Sequence, residues 1–255
     1  MRIPFTKYAF RRFNARLEQQ YIDCAAASRA MNQRSHARYH IINALLRNTT
    51  HRRYLEIGVR NPEDNFNRIE ADFKVSVDPG VEATINHATY PMTSDAFFEQ
   101  LLNEQLHLEH KQFDVIFIDG LHLAEQVYRD IQNSLKIVAD IGYVVLHDCS
   151  PPTIHHAREN VHEQGPATHF WNGTSWKAYQ RFRTESQKKC FVVDVDWGVG
   201  VIANHDESPD YQLCAERNPF YEYNVMDADR KHILNLVQPL EAPELAPHLS
   251  PADRS

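Results

Sequence analysis

The chain has 255 residues, 42% hydrophobic and 24% charged, enough to bury a full core in one large domain with additions at its ends. Its net charge of −7 is the wrong sign for a protein held chiefly by phosphate backbones, so nucleic acid is not expected as a partner. The four cysteines, Cys24, Cys149, Cys190 and Cys214, form no CxxC pair, which argues against a zinc ribbon or a disulfide framework and for a reducing, cytoplasmic setting. No apolar run approaches the roughly 20 residues that span a bilayer, and no secretion signal is read near Met1.

Taken in chain order, the N-terminus carries Arg2, Lys7, Arg11, Arg12 and Arg16 with no acid before Glu18, a composition shared by transit peptides and membrane-surface helices. The simpler expectation is an exposed helical extension over residues 1–50 that packs through Phe5, Phe10, Phe13 and Leu17. A second helix is expected over 39–46, with Ile41, Ile42, Leu45 and Leu46 on one face. Residues 54–59, YLEIGV, read as the first buried strand, and Pro62 suits the first turn of a short helix containing Phe66 and Ile69. Lys74 to Val77 is the second strand, closed by Asp78-Pro79-Gly80. An acid there, 20 residues after Gly58, has the offset that lets a nucleotide-binding unit hold both ribose hydroxyls, although a DPG turn alone also explains it.

A third strand is expected near 88–92, followed by a helix capped by Thr93 or Ser94 with Phe98, Leu102 and Leu106 on one side. The run FDVIFIDGLH, Phe113 to His122, is a strand covered on both faces that stops at Asp119 and turns at Gly120, which puts Asp119 at the carboxyl edge of a sheet. Leu123, Val127, Ile131, Leu135 and Val138 then predict a helix ended by Gly142, and Tyr143 to Leu146 a fifth strand running into His147-Asp148-Cys149. Alternating helix and strand periods argue for a doubly wound, mostly parallel α/β sheet. After Pro151-Pro152, an insertion at about 151–188 is rich in histidine and contains a helix starting at Thr174 or Ser175. FVVDVDWGVGVI, 191–202, reads as a β-hairpin that completes a core domain over 51–204. Residues 205–238 are expected as a C-terminal helical segment with a helix over 225–237, and 239–255, with Pro239, Pro243, Pro247 and Pro251, as a disordered tail.

Glu-x-Gly on the first strand, an acid closing the second, IDG-x-H after the fourth and LHD after the fifth resemble class I S-adenosylmethionine-dependent methyltransferases, over about residues 53–202. The resemblance implies a Rossmann-like seven-stranded sheet whose last pair is a hairpin. It also implies that Glu56 and Gly58 line the methionine end of S-adenosylmethionine, that Asp78 holds the ribose, that Ser94 and Asp95 contact the adenine side, and that Asp119 lies near the sulfonium or a metal. One departure is plain. The family's first loop carries further glycines, whereas here Gly58 is followed by Val59, Arg60, Asn61 and Pro62, so Arg60 or Asn61 would have to reach the cofactor carboxylate.

Two routes for removing a proton from an oxygen nucleophile follow. Either Asp119, Asp148 and His147 or His122 hold Mg²⁺ or another divalent ion, or His122 or His147 acts as general base. Without the resemblance, His147 would be read as a strand-end histidine bonded to backbone and His122 as a helix N-terminal residue. The adjacent His155 and His156 read as loop residues rather than ligands. Trp171, Trp176 and Tyr179 would wall an acceptor pocket or else fill the core, and Asn172-Gly173-Thr174 fits a glycosylation sequon that is discounted. The expected function is O-methylation of a small-molecule acceptor such as a sugar or natural product, with a homo-oligomer left open. The alternatives are a non-catalytic binding or assembly module with this fold, and a nicotinamide-dependent oxidoreductase, which lacks its GxGxxG here.

Overall fold

The computed structural model describes residues 5–33, 37–82, 84–207, 216–242, 245 and 247. Strands β1 (Arg53–Ile57), β2 (Phe73–Val77), β3 (Phe113–Ile118), β4 (Val138–Leu146), β5 (Lys188–Val193), β6 (Val199–Glu207) and β7 (Leu236–Val237) form one sheet in the order β2-β1-β3-β4-β6-β5-β7. The first four pair in parallel, while β6 runs antiparallel to β4 and β5 as the expected hairpin. All six residues of β3 are buried, which is why its sequence shows no polar–apolar alternation.

Each face of the sheet has its own core. Leu55, Ile57, Ile116, Ile118, Val144 and Leu146 pack under α3 (Ser94–Leu102), α4 (Ala124–Ser134) and α5 (Ser175–Glu185). Tyr54, Val115, Phe117, Tyr143 and Val145 pack under α2 (Arg38–Arg47), whose Ile41, Ile42, Leu45 and Leu46 are fully buried. The second helix is therefore a structural layer of the sheet. It also holds the crossover from β1 to β2: the Asn43 side chain donates to the Arg68 carbonyl and accepts from the Glu70 amide at 3.0 and 2.9 Å.

Several elements differ from the sequence reading. The crossover after β1 is two 3₁₀ turns, Pro62–Asp64 and Phe66–Arg68, because Asn65 leaves helical geometry to turn its side chain inward onto Tyr54 and Glu56. The third strand at 88–92 shrinks to one bridge between Val77 and Tyr90, and the seventh strand is β7 instead. α4 ends at Ser134, so Val138 belongs to β4; Gly142 lies inside that strand, where an added Cβ would come 2.8 Å from the Ala139 carbonyl. The helix over 225–237 is replaced by α6 (Tyr223–Ala228), α7 (Arg230–Ile233) and β7, broken by Asp229 and by Asn235 at φ 50°. In the C-terminal tail, Pro239–Glu241 forms a 3₁₀ turn and Ala242 and Leu245 are buried in the α2-side core; residues 243, 244, 246 and 248–255 lie outside the described residues.

Helix α1 (Phe5–Asn32) does form, but Phe13 and Leu17 are exposed rather than packed, and the side chains of Phe5 and Phe10 lie outside the described residues. The helix is tied down further along. Ser28 Oγ lies 2.9 Å from His156 Nε2, and Thr153 Oγ1 is 2.8 Å from His156 Nδ1 and 3.4 Å from Cys24 Sγ. Cys24 and Cys149 form no disulfide; Cys214 lies outside the described residues.

Candidate active site at the carboxyl edge of the sheet

Strand register fixes the site. Ile57 pairs with Val77 on one side and Ile118 on the other, and Ile118 pairs with Leu146. The residues that follow, Asp78, Gly58, Asp119 and His147, therefore leave the sheet at one level on four adjacent strands. The crevice between neighbouring strands whose crossovers diverge is where open α/β sheets take ligands.

At this edge lies a buried charge cluster. His147 Nδ1 is 3.1 Å from Asp119 and 3.5 Å from Asp148, and its Nε2 is 3.3 Å from Asp196. His122 bridges the same two acids, with Nε2 3.3 Å from Asp119 and Nδ1 3.0 Å from Asp148. Arg38, at the start of α2, reaches Asp119 at 3.6 Å and Asp196 at 3.3 Å. Burial opposes charge on all of these groups, but mutual attraction prevails. Asp148 and Asp119 lift His122 to about 10 and His147 well above its usual range. His147 and Arg38 hold Asp119 well below the usual carboxylate range and Asp196 at about 2. Three carboxylates thus face the Arg38 guanidinium and two imidazoles whose protonated forms they favour. Glu56 is different: burial dominates over hydrogen bonds from Tyr54 and Asn65 and pushes it up to about 7.

Local backbone builds this geometry. Asp148 adopts φ 59°, a left-handed conformation that is costly for a non-glycine residue and common at functional sites. Its carboxylate accepts from Asn172 Nδ2 at 2.6 Å, while Asn172 Oδ1 is buried with no donor among the described residues. Trp171 stacks on His122 with centroids 5.1 Å apart and donates its indole N–H to the Arg158 carbonyl at 2.7 Å. Thr174 Oγ1 does not cap its own helix α5. It accepts from the Ala124 amide at 2.8 Å and so caps α4 instead.

Among the expected cofactor residues, Gly58 has φ 93°, and a Cβ there would fall 2.2 Å from the Asp119 carbonyl oxygen, so the glycine is required by the close approach of β1 to β3. Asp78 accepts from the Val59 and Gly80 amides at 2.9 and 2.6 Å, which closes the glycine-poor loop without a second glycine. Arg60 points to solvent beside Glu82, and Asn61 caps the 3₁₀ turn, so neither enters the crevice; Arg38 is the guanidinium found there. Ser94 and Asp95 both accept from Gln126, and Asp95 also pairs with Arg129. Trp176 and Tyr179 are core residues, Tyr179 donating to the Leu234 carbonyl at 2.8 Å; Trp171 alone of the three reaches the cluster. His155 and His156 are not ligands of the cluster: His156 is the buried anchor of α1.

Arg38 and Asp196 were not found by sequence reasoning. Arg38 precedes the apolar face of α2 with no motif around it, and Asp196 was read only as part of the hairpin turn, where it has φ 42°. The atoms that Asp119, His122 and Asp148 offer lie within 4.8 Å of one another, a set able to hold a divalent ion.

The family model described as "Methyltransferase domain" matches residues 23–149. Among solved structures, the chain is similar to an O-methyltransferase from Bacillus cereus in complex with SAH (14% identity, TM-score 0.42, 73% of this chain and 90% of that one). It is also similar to the O-methyltransferase TomG from Streptomyces achromogenes, involved in tomaymycin synthesis, in complex with SAM (15%, 0.41, 72% and 88%). A third is the N-methyltransferase NodS from Bradyrhizobium japonicum WM9 (15%, 0.37, 65% and 92%). No curated protein matches the chain.

Proposed function

Because the chain belongs to the methyltransferase-domain family, among the class I S-adenosylmethionine-dependent enzymes, we propose that it moves the cofactor's methyl group to an oxygen of a small molecule such as a sugar or natural product, with a divalent ion assisting. The observation that carries this reading is the set of donor atoms on Asp119, His122 and Asp148, gathered within 4.8 Å at the carboxyl edge beside Glu56 and Asp78.

In this reading Asp78 holds the ribose, Glu56 and Asn65 receive the ammonium of the methionine end, and Arg38 meets its carboxylate. The buried Oδ1 of Asn65, which has no donor among the described residues, and the buried, equally unpartnered Nε of Arg38 fit those tasks. Ser94 and Asp95 remain the adenine-side candidates. In the transfer itself the acceptor oxygen bonds to the methyl carbon as the carbon–sulfur bond breaks, and that electron pair stays on sulfur, giving S-adenosylhomocysteine. Alignment of the reactants and exclusion of water can supply as much as ~7–11 kcal/mol of the barrier.

The acceptor hydroxyl must also lose its proton. Asp119 and Asp148 favour the protonated forms of His122 and His147, which weighs against either imidazole as the direct base as long as no ion is bound. The carboxylates of Asp119 and Asp148 fit a hard divalent cation such as Mg²⁺, and the His122 imidazole suits a borderline one such as Fe²⁺ or Zn²⁺. Such an ion would lower the pKa of the acceptor hydroxyl. To ligate, His122 must release the proton that Asp119 and Asp148 stabilise. A reducing, cytoplasmic setting accords with the free thiols of Cys24 and Cys149. Among the described residues no helix is long and apolar enough to cross a membrane.

The test is methyl transfer from labelled cofactor to a panel of hydroxylated acceptors, with and without EDTA, in the wild type and Asp148→Asn, alongside calorimetric titration of Mg²⁺. We expect EDTA and the substitution each to abolish turnover, and the variant to lose the Mg²⁺ heat. Full turnover in chelator would remove the ion from the mechanism, and labelling of nitrogen acceptors alone would overturn O-methylation.

A further inference from the structure

A cleft of about 640 Å³ opens between the insertion after β4 and the segment leading into α6, away from the acidic cluster. Its walls bring together Trp176, Phe220, Tyr221 and Tyr223 with Arg158 and Lys177. Trp176 is fully buried, yet its indole Nε1 has no hydrogen-bond partner among the described residues, and neither does the buried Nε of Arg158. Two residues of the lining thus each carry a buried donor without an acceptor, a shortfall that a ligand oxygen would relieve on displacing the side chains that cover them. Lys177 Nζ lies 5.7 Å over the Trp176 ring, adding a cation at the same wall. The acids of the lining, Glu163 and Glu222, are exposed. The volume falls in the range of small-molecule sites, and aromatic walls with a few convergent donors select a flat ring bearing an oxyanion.

We propose that this cleft is a second ligand site, separate from the Asp119–His122–Asp148 cluster, that takes an aromatic carboxylate with its oxygens toward Trp176 Nε1 and Arg158. The ligand would be felt at the cluster. The Arg158 carbonyl accepts the Trp171 indole N–H, and Trp171 stacks on His122; on the other side, Thr174, two residues before Trp176, donates its amide to the His122 carbonyl at 2.8 Å. Occupancy therefore bears on the residues that position His122.

The test uses the full chain labelled with ¹⁵N at its three tryptophans and benzoate as the probe, read by the indole N–H resonances. The Trp176 signal should shift most and saturate below about 10 mM. Benzyl alcohol, which keeps the ring without the carboxylate, and acetate, which keeps the carboxylate without the ring, should each bind at least roughly fivefold more weakly. Trp176→Phe keeps an aromatic ring and removes the donor, and should weaken benzoate by a similar factor, read at the Trp171 indole N–H that bonds the Arg158 carbonyl; if it fails to fold, Lys177→Met carries the same expectation. Equal affinity for benzyl alcohol, no saturable shift at Trp176, or unchanged affinity in the folded variant would overturn the proposal. Binding of S-adenosylhomocysteine is measured separately, so loss of the methyl-transfer reading and loss of the second site give different results.

Discussion

At the scale of single residues, the site depends on backbone conformations that few side chains tolerate. Gly58 is the sharpest case: its φ of 93° and the Asp119 carbonyl 2.2 Å from an added Cβ leave no room for a methyl group. Gly58→Ala should cost roughly 2–4 kcal/mol of stability, read as a lower urea midpoint; a midpoint like that of the wild type would mean that β1 and β3 can separate there without penalty. Asn172 fixes the Asp148 carboxylate from outside the candidate ion site. Asn172→Ala should lower ion affinity and turnover by roughly 10–100-fold and, because it strips a buried carboxylate of a donor, lower stability by about 1–3 kcal/mol; ion titration and thermal melting check the two. Asp119, His147 and Asp148 were legible in the sequence because they follow the ends of apolar strands, which β-register gathers, and His122 because it opens the helical pattern just beyond one of those ends. Arg38 and Asp196 were not, since nothing local marks a helix-start arginine or a turn aspartate as facing four other charged groups. Arg60 was chosen for proximity in sequence, but its loop turns it outward.

At the scale of elements, long buried strands could be read from their apolar content, while short or irregular pieces depended on contacts absent from the local pattern. Residues 88–92 look extended, but one bridge between Val77 and Tyr90 is all the pairing they make, and the crossover at 62–69 gives up a helix so that Asn65 can reach Glu56. Helix α1 offers a pH test. His156, which joins Ser28 and Thr153, is pushed down to about 4 from 6.5, chiefly by burial and also by Arg158. The unfolded chain therefore binds the proton more readily, so this group's stabilisation is complete above pH 6.5 and is lost as the pH falls through about 4. Limited proteolysis within α1 should accelerate between pH 7 and pH 4.5, and His156→Gln should flatten that dependence. A cleavage rate independent of pH in the wild type would show that the anchor is not held by a neutral His156.

At the scale of the molecule, the strand order, the hairpin and the two cores follow from alternating periods that the sequence displays openly. The pairing of α2 with the sheet was hidden, because an apolar helix face does not say which surface it covers. The sheet brings Asp78, Glu56 and Asp119 to one edge, and the glycine-poor loop closes through Asp78, which accepts from the Val59 amide instead of leaving space beside a second glycine. Methyl transfer at this edge requires that it hold an adenosyl group. Calorimetric titration of the full chain with S-adenosylhomocysteine tests this most directly. It should give one site with a dissociation constant of about 1–100 μM, weakened at least roughly tenfold in Asp78→Ala, whereas no heat at millimolar ligand, or equal affinity in the variant, would contradict it.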